Sequence, residues 1–233
     1  MLTIDRYMIV ILMFIKFYNS FAGLPKDFYS RVCPLAVSNP DLAIFNYSLA
    51  EQLGIDTTNI KPEEMAEVFS GNKILEGSEP IALIYAGHQF GYFVPQLGDG
   101  RAVLLGEVID VNGQRRDIQL KGSGLTPYSR RGDGRATLGS MIREYIISEA
   151  MHSLGIKTTR CLALVTTEES VLRSNITPGA VLTRVAESHI RVGTFEYFAA
   201  RGDLKSIKIL ADYAINRHYP RAIESPTPYL SLT

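Results

Sequence analysis

The sequence predicts an α+β fold, and three observations carry that expectation. Gly87, Gly91, Gly98, Gly100 and Gly106 crowd a short stretch in which apolar runs alternate with turns. Asn112-Gly113, between two such runs, is the strongest hairpin signal in the chain. Helix-period patterns precede this middle part, interrupt it once and follow it.

The elements follow in order. Tyr7 to Ile15 is a continuous apolar run closed by Lys16. It is too short for a membrane span, which needs about 20 apolar residues. It reads as a buried strand or helix or as a start-site extension. A signal peptide, with Arg6 as its basic region and Ser20-Phe21-Ala22 as the cleavage site, is the weaker alternative because Asp5 sits in that region. Asn39 to Gly54 reads as a helix opened by Asn39-Pro40-Asp41, with Leu42, Ile44, Phe45, Leu49 and Leu53 mostly on one face. Pro62 to Phe69 is a second helix with Pro at its start and Gly71 beyond its end. Pro80–Tyr85, Ala102–Val111 and Asp117–Leu120 read as strands, the last running into Lys121.

Gly122–Gly139 is a basic, glycine-rich loop, and Ser140–Leu154 a helix with Met141, Tyr145, Ile146, Ala150 and Met151 as its apolar face. Thr158–Thr167, Glu169–Arg173 and Ala180–Ala186 are β-rich. His189–Ala200 and Leu204–His218 are helical, and the tail ends on what looks like the first turn of another helix.

Composition narrows the function. Lys plus Arg and Asp plus Glu both number 24, which argues against a general electrostatic binder of nucleic acid or of anionic membrane. With 46% apolar and 21% charged residues, the chain is globular and not disordered. Cys33 and Cys161 are too few for a disulfide scaffold or a Cys-rich zinc site, and two buried thiols in a reducing compartment are expected. His88, His152, His189 and His218 lack metal-ligand spacing, so no metal ligand is assigned and each is expected to pack or hydrogen-bond. No Ser/His/Asp or Cys/His nucleophile pattern stands out.

The chemistry concentrates in one region. The pentapeptide Gly-Asp-Gly-Arg-Ala occurs at 98–102 and again at 132–136, with unrelated flanks, so it is not a domain duplication. Tight glycine loops free backbone N–H groups for an anion, and an adjacent Arg offers a planar fork to phosphate oxygens. The plainer alternative is two Asp-Gly turns with solvated arginines. Around the repeats the order is Gly98 and Gly100 before a strand, a hairpin, Lys121 at the end of the returning strand, and Glu144 on the next helix. That order resembles a protein-kinase N-lobe, in which a helix Glu holds a strand Lys against nucleotide phosphates. The standard kinase glycine pattern and a Walker A motif are both missing. Arg130, Arg131, Arg135 and Arg143, followed by Arg184 and Arg191, outnumber Asp133 and Glu144 and point to a polyphosphate site; surface arginines near acids are the alternative. Asp212 and Asn216 fall on an amphipathic helix and are not a kinase-type Asp/Asn pair.

Four motifs sharpen this into a family resemblance. They are Tyr85-Ala86-Gly87-His88-Gln89-Phe90-Gly91, Pro95-Gln96-Leu97-Gly98-Asp99-Gly100-Arg101-Ala102, Gln119-Leu120-Lys121-Gly122-Ser123-Gly124, and Tyr128 through Ala136. With Asn19-Ser20-Phe21-Ala22 and Thr183-Arg184-Val185-Ala186, they resemble the selenoprotein O family, YdiU in bacteria, from about Phe17 onward. The resemblance implies a protein-kinase-like fold that binds ATP in a flipped orientation. It implies transfer of AMP, or UMP in some bacterial members, to protein hydroxyl side chains with magnesium or manganese. By motif, it implies nucleotide contacts from Gly98, Gly100, Arg101, Lys121, Asp133, Gly134, Arg184 and Arg191, with Glu144 orienting Lys121.

The family's general base and metal ligands lie in a second half for which this sequence offers no counterpart. The expectation is therefore an N-terminal part with little transfer activity of its own, to be completed by a separately encoded C-terminal half if it is one half of a split protein. The expected divisions are an extension at 1–16, a helical preface at 17–78, a kinase-like nucleotide-binding lobe at 79–188 and the start of a helical lobe at 189–233. Protein substrates, no nucleic acid, no membrane and a cytoplasmic location complete the expectations. A catalytically inactive nucleotide-binding module and an ordinary kinase-like phosphotransferase are the competing readings.

Overall fold

A computed structural model describes residues 15–232. The apolar run that begins at Tyr7 lies almost wholly outside the described residues. The chain forms two compact units: residues up to Leu83 with Asp99–His189, and Ile84–Gly98 with Ile190 onward.

The first unit is built on a seven-stranded antiparallel sheet. Its strands are β1 (Tyr29–Arg31), β2 (Asp41–Phe45), β3 (Ile81–Leu83), β6 (Ala102–Ile109), β7 (Arg115–Lys121), β8 (Arg160–Leu172) and β9 (Ile176–Ala186), in the order β1-β3-β6-β7-β9-β8-β2. The Asn112-Gly113 hairpin joins β6 to β7 as expected, with Gly113 at φ +76°. The β-rich stretches 158–173 merge into one long strand whose register shifts twice, between Cys161 and Ala163 and between Thr167 and Ser170. Each shift is a bulge that re-aims the side chains after it.

Side-chain alternation sorts two cores. Ile118, Leu120, Leu162, Val165 and Val181 face α1 (Tyr47–Gln52) and α2 (Pro62–Ser70), where Phe69 is fully buried. Cys161, Leu164, Ala180 and Leu182 face the opposite way, onto Met141, Ile142 and Tyr145 of α3 (Leu138–Ser153). Because Ile118 and Leu120 serve the first core, Asp117, Gln119 and Lys121 must point to the side that carries α3.

Three expectations fail here. Residues 41–45 form a strand and not the first half of a helix. They pair with β8, and the helix begins only after Asn46, whose side chain accepts the Leu49 N–H at 3.0 Å. Leu42, Ile44 and Phe45 suit both periods, and the open edge of β8 decides between them. On α3, Ile146 and Ala150 are exposed, while Ser148 and Glu149 turn inward; Glu149 holds Arg160 through three contacts of 2.7–3.1 Å. Cys33 is exposed, whereas Cys161 is buried in a setting that pushes its thiol up to about 12.

The second unit contains the hairpin of β4 (Gly87–Gln89) and β5 (Tyr92–Val94), then α4 (Val192–Ala199), α5 (Leu204–His218) and α6 (Pro228–Leu232). Asp203 caps α5 by accepting the Ser206 N–H at 3.0 Å. Asp212 is tied to Lys208 at 2.8 Å and to Tyr229. Among the described residues no helix is long and apolar enough to cross a membrane.

Candidate nucleotide site

Three of the expected side chains meet on the α3 side of the sheet. Lys121 ends β7 and donates from Nζ to Glu144 Oε2 on α3. Arg184 on β9 donates from Nη1 to Glu144 Oε1 at 3.3 Å. One carboxylate therefore joins two cations from adjacent strands.

The electrostatics follow from that geometry. Burial is the largest influence on Lys121 and lowers its pKa; Arg184 and Arg101 push the same way, and Glu144 opposes them incompletely. Burial would raise the Glu144 carboxyl, but Lys121 and Arg184 outweigh it and hold the group below the ordinary carboxylate range. Two basic side chains thus share one carboxylate in a partly desolvated place. That surplus suits phosphate oxygens.

Arg101 stands at the start of β6, and its carbonyl accepts the Gly122 N–H at 2.7 Å, just past Lys121. Its guanidinium is exposed and has no hydrogen bond or ion pair among the described residues. It is a free cation beside the pair.

The two pentapeptides behave differently. In the first copy Asp99 is buried and Arg101 is free. In the second, exposed Asp133 is clamped by Arg173 at 2.7 and 2.9 Å, which holds its pKa at about 2, and Arg135 is committed to Glu169 at 2.8 Å. Their third residues share one requirement. A Cβ on Gly100 would stand 2.8 Å from the Tyr128 carbonyl oxygen, and one on Gly134 only 2.0 Å from that of Gly124. Backbone crossing close by, rather than phosphate contact alone, demands glycine there.

Gly98 and Arg191 belong to the second unit and share Tyr85. Its carbonyl accepts the Gly98 N–H at 3.2 Å, and its ring lies 4.7 Å beneath the Arg191 guanidinium.

Sequence reading missed a buried polar layer behind Arg184. Gln119, fully buried, lies directly across from Arg184 and accepts from its Nη2. Gln119 Nε2 donates to Asp99 Oδ2 at 3.0 Å. One step along, buried His189 places Nδ1 3.4 Å from Asp117 Oδ2, and its burial lowers its pKa. A signal was available: Asp117, Gln119 and Lys121 alternate with Ile118 and Leu120, so a strand with one apolar face carries three polar residues on the other. Among the described residues no three His, Cys, Asp or Glu side chains group as a metal-ion site. Glu144, the carboxylate at the cluster, is already shared by two cations.

The family described as Protein adenylyltransferase SelO matches residues 11–232. A relative from Rhodopseudomonas palustris strain TIE-1, called Protein nucleotidyltransferase YdiU, is 63% identical over 216 residues, covering 93% of this chain and 44% of its own. Relatives of the same name from Methylorubrum populi and Rhizobium meliloti are each 61% identical, covering 93% of this chain and 43% and 44% of their own lengths. The chain thus spans less than half the length of these curated relatives. With nearly its whole length matched, the chain belongs to the SelO family of protein adenylyltransferases.

Proposed function

We propose that this chain carries the nucleotide-phosphate-holding part of a protein nucleotidyltransferase, in a lobe of kinase-like design over 79–188. The reaction is transfer of AMP from ATP to a Ser, Thr or Tyr hydroxyl of a protein. The hydroxyl oxygen bonds to the α-phosphorus, the bond from that phosphorus to the bridging oxygen breaks, and pyrophosphate leaves with the electron pair. The hydroxyl proton goes to a base for which no residue of this chain is assigned. Magnesium or manganese, which the family resemblance implies, has no ligand set among the described residues.

The observation that carries the reading is Glu144 divided between Lys121 and Arg184. The carboxylate holds both cations in place before any ligand arrives, so their direction costs nothing at the moment charge develops on the leaving group. Arg101 adds a third, uncommitted cation. Gly100, Asp133 and Gly134 of the first unit are further proposed nucleotide contacts, as are Gly98 and Arg191 within the second unit taken by itself, and the Asp133 contact requires the carboxylate to exchange Arg173 for the nucleotide.

ATP labelled at the α- or the γ-phosphate tests the reading, with protein extract as acceptor. Label entering protein from the α-position, and its loss in Lys121→Ala, supports nucleotidyl transfer. Label from the γ-position alone means phosphotransfer. ATP binding without transfer fits both the phosphate-holding part acting alone and a nucleotide-binding module, and wild-type ATP binding by Lys121→Ala removes the site from consideration. UTP in place of ATP decides between UMP and AMP.

A further inference from the structure

Arg184 is held by few contacts. Its Nε is buried and has no hydrogen-bond partner among the described residues. Its guanidinium is directed by Gln119 on one side and Glu144 on the other. Gln119 is itself fully buried, and its orientation is dictated by chemistry. Asp99, 2% exposed, offers only acceptor oxygens, so the amide nitrogen must face it, and the amide oxygen is left for the guanidinium. Asp99 is in turn fixed at both ends. Its carboxylate accepts the Leu83 N–H at 3.2 Å, and its carbonyl accepts the Thr126 hydroxyl at 2.7 Å. The contacts run unbroken from Asp99 through Gln119, Arg184 and Glu144 to Lys121.

We propose that Gln119, braced by Asp99, is a positioning residue that aims the Arg184 guanidinium and so keeps Glu144 divided between Arg184 and Lys121. This rests on the nucleotide reading above and assigns the Asp of the first pentapeptide a role behind the site rather than in it. A neutral amide is the side chain that fits. A carboxylate at 119 would face Asp99 with like charge, and an apolar group would leave a buried guanidinium nitrogen without its acceptor. Without Gln119 the guanidinium closes fully on Glu144 and takes the carboxylate from Lys121.

The test uses the 233-residue chain as Gln119→Leu, Gln119→Met, Arg184→Ala and the Gln119→Leu/Arg184→Ala double variant, all checked by thermal melting. Two quantities are read: ATP affinity by calorimetry, and the pH midpoint of Lys121 acylation by mass spectrometry. Each Gln119 variant is expected to lose about tenfold in affinity, the scale of one buried hydrogen bond to a charged group. Its Lys121 midpoint falls, because the lysine loses its anionic partner. In the Arg184→Ala background Gln119→Leu changes neither quantity further, since the amide acts through the guanidinium.

A folded Gln119→Met chain with wild-type affinity and midpoint overturns the proposal, as do losses that simply add in the double variant. Should Gln119→Leu not fold, the methionine variant, close to glutamine in volume, carries the comparison. If the wild-type chain binds no ATP, the nucleotide reading fails separately. The Lys121 midpoint then decides the positioning role by itself.

Discussion

Lys121 and Arg184, on neighbouring strands, both reach the carboxylate of Glu144, one at each oxygen. Two like charges are thus held together by a single anion. Removing that anion should cost more than removing either cation.

Glu144→Gln leaves two partly buried cations facing each other. An expected loss is about 1–3 kcal/mol, below the cost of breaking a fully buried pair because both side chains keep some solvent contact. Lys121→Ala leaves Glu144 paired with Arg184 and should cost less. Urea denaturation of the two variants reads the order; equal costs would mean that Arg184 does not share the carboxylate in solution.

Acid should unload the Asp133–Arg173 clamp. The folded pKa of Asp133, at about 2, lies below its ordinary value of 3.8, so the unfolded chain binds the proton first. The clamp's contribution is present above pH 3.8 and is lost as pH falls toward 2. Stability measured by denaturant at stepped acid pH should drop less steeply in Asp133→Asn than in wild type. Identical slopes would place the clamp outside the stability of the fold.

Two glycines of similar dihedral angle should respond very differently to alanine. Gly113 has φ +76° and open space around its missing Cβ, so Gly113→Ala carries only the left-handed backbone cost of about 1–2 kcal/mol. Gly134 has φ +69° and the Gly124 carbonyl 2.0 Å from the same point. Gly134→Ala adds a main-chain collision and should lose about 3 kcal/mol or more. Melting temperatures that fall equally would contradict the crossing at 124–134.

The two thiols should separate cleanly. Cys33 is exposed and Cys161 is buried, with its thiol raised to about 12. An aromatic disulfide reagent at neutral pH should titrate one thiol per folded chain and two in denaturant. Two fast thiols in the native protein would contradict the packing of Cys161 beneath α3.

Much of this fold could be read from local signals. Asn112-Gly113 placed the hairpin, Pro62 and Gly71 bracketed α2, and the Leu204–His218 helix has the limits that its pattern implied. Residues 41–45 could not be assigned this way, because their apolar positions satisfy two periods and pairing with β8, far along the chain, settles the matter. Lys121 and Glu144 were legible because strand end and following helix lie close in sequence. Gln119 was not, because its meaning comes from Arg184, 65 residues away, and from Asp99 on another loop.

The sequence by itself determined the hairpin, most of the helices, the residue types at the site and the family, since turn chemistry, periodicity and motif are properties of neighbouring residues. Only the tertiary structure decided that the same pentapeptide buries its Asp in one copy and exposes it in the other, and frees one Arg while committing the second. The physical reason is that burial and pairing depend on what the sheet brings opposite a side chain, and strand register joins residues that the chain itself keeps far apart.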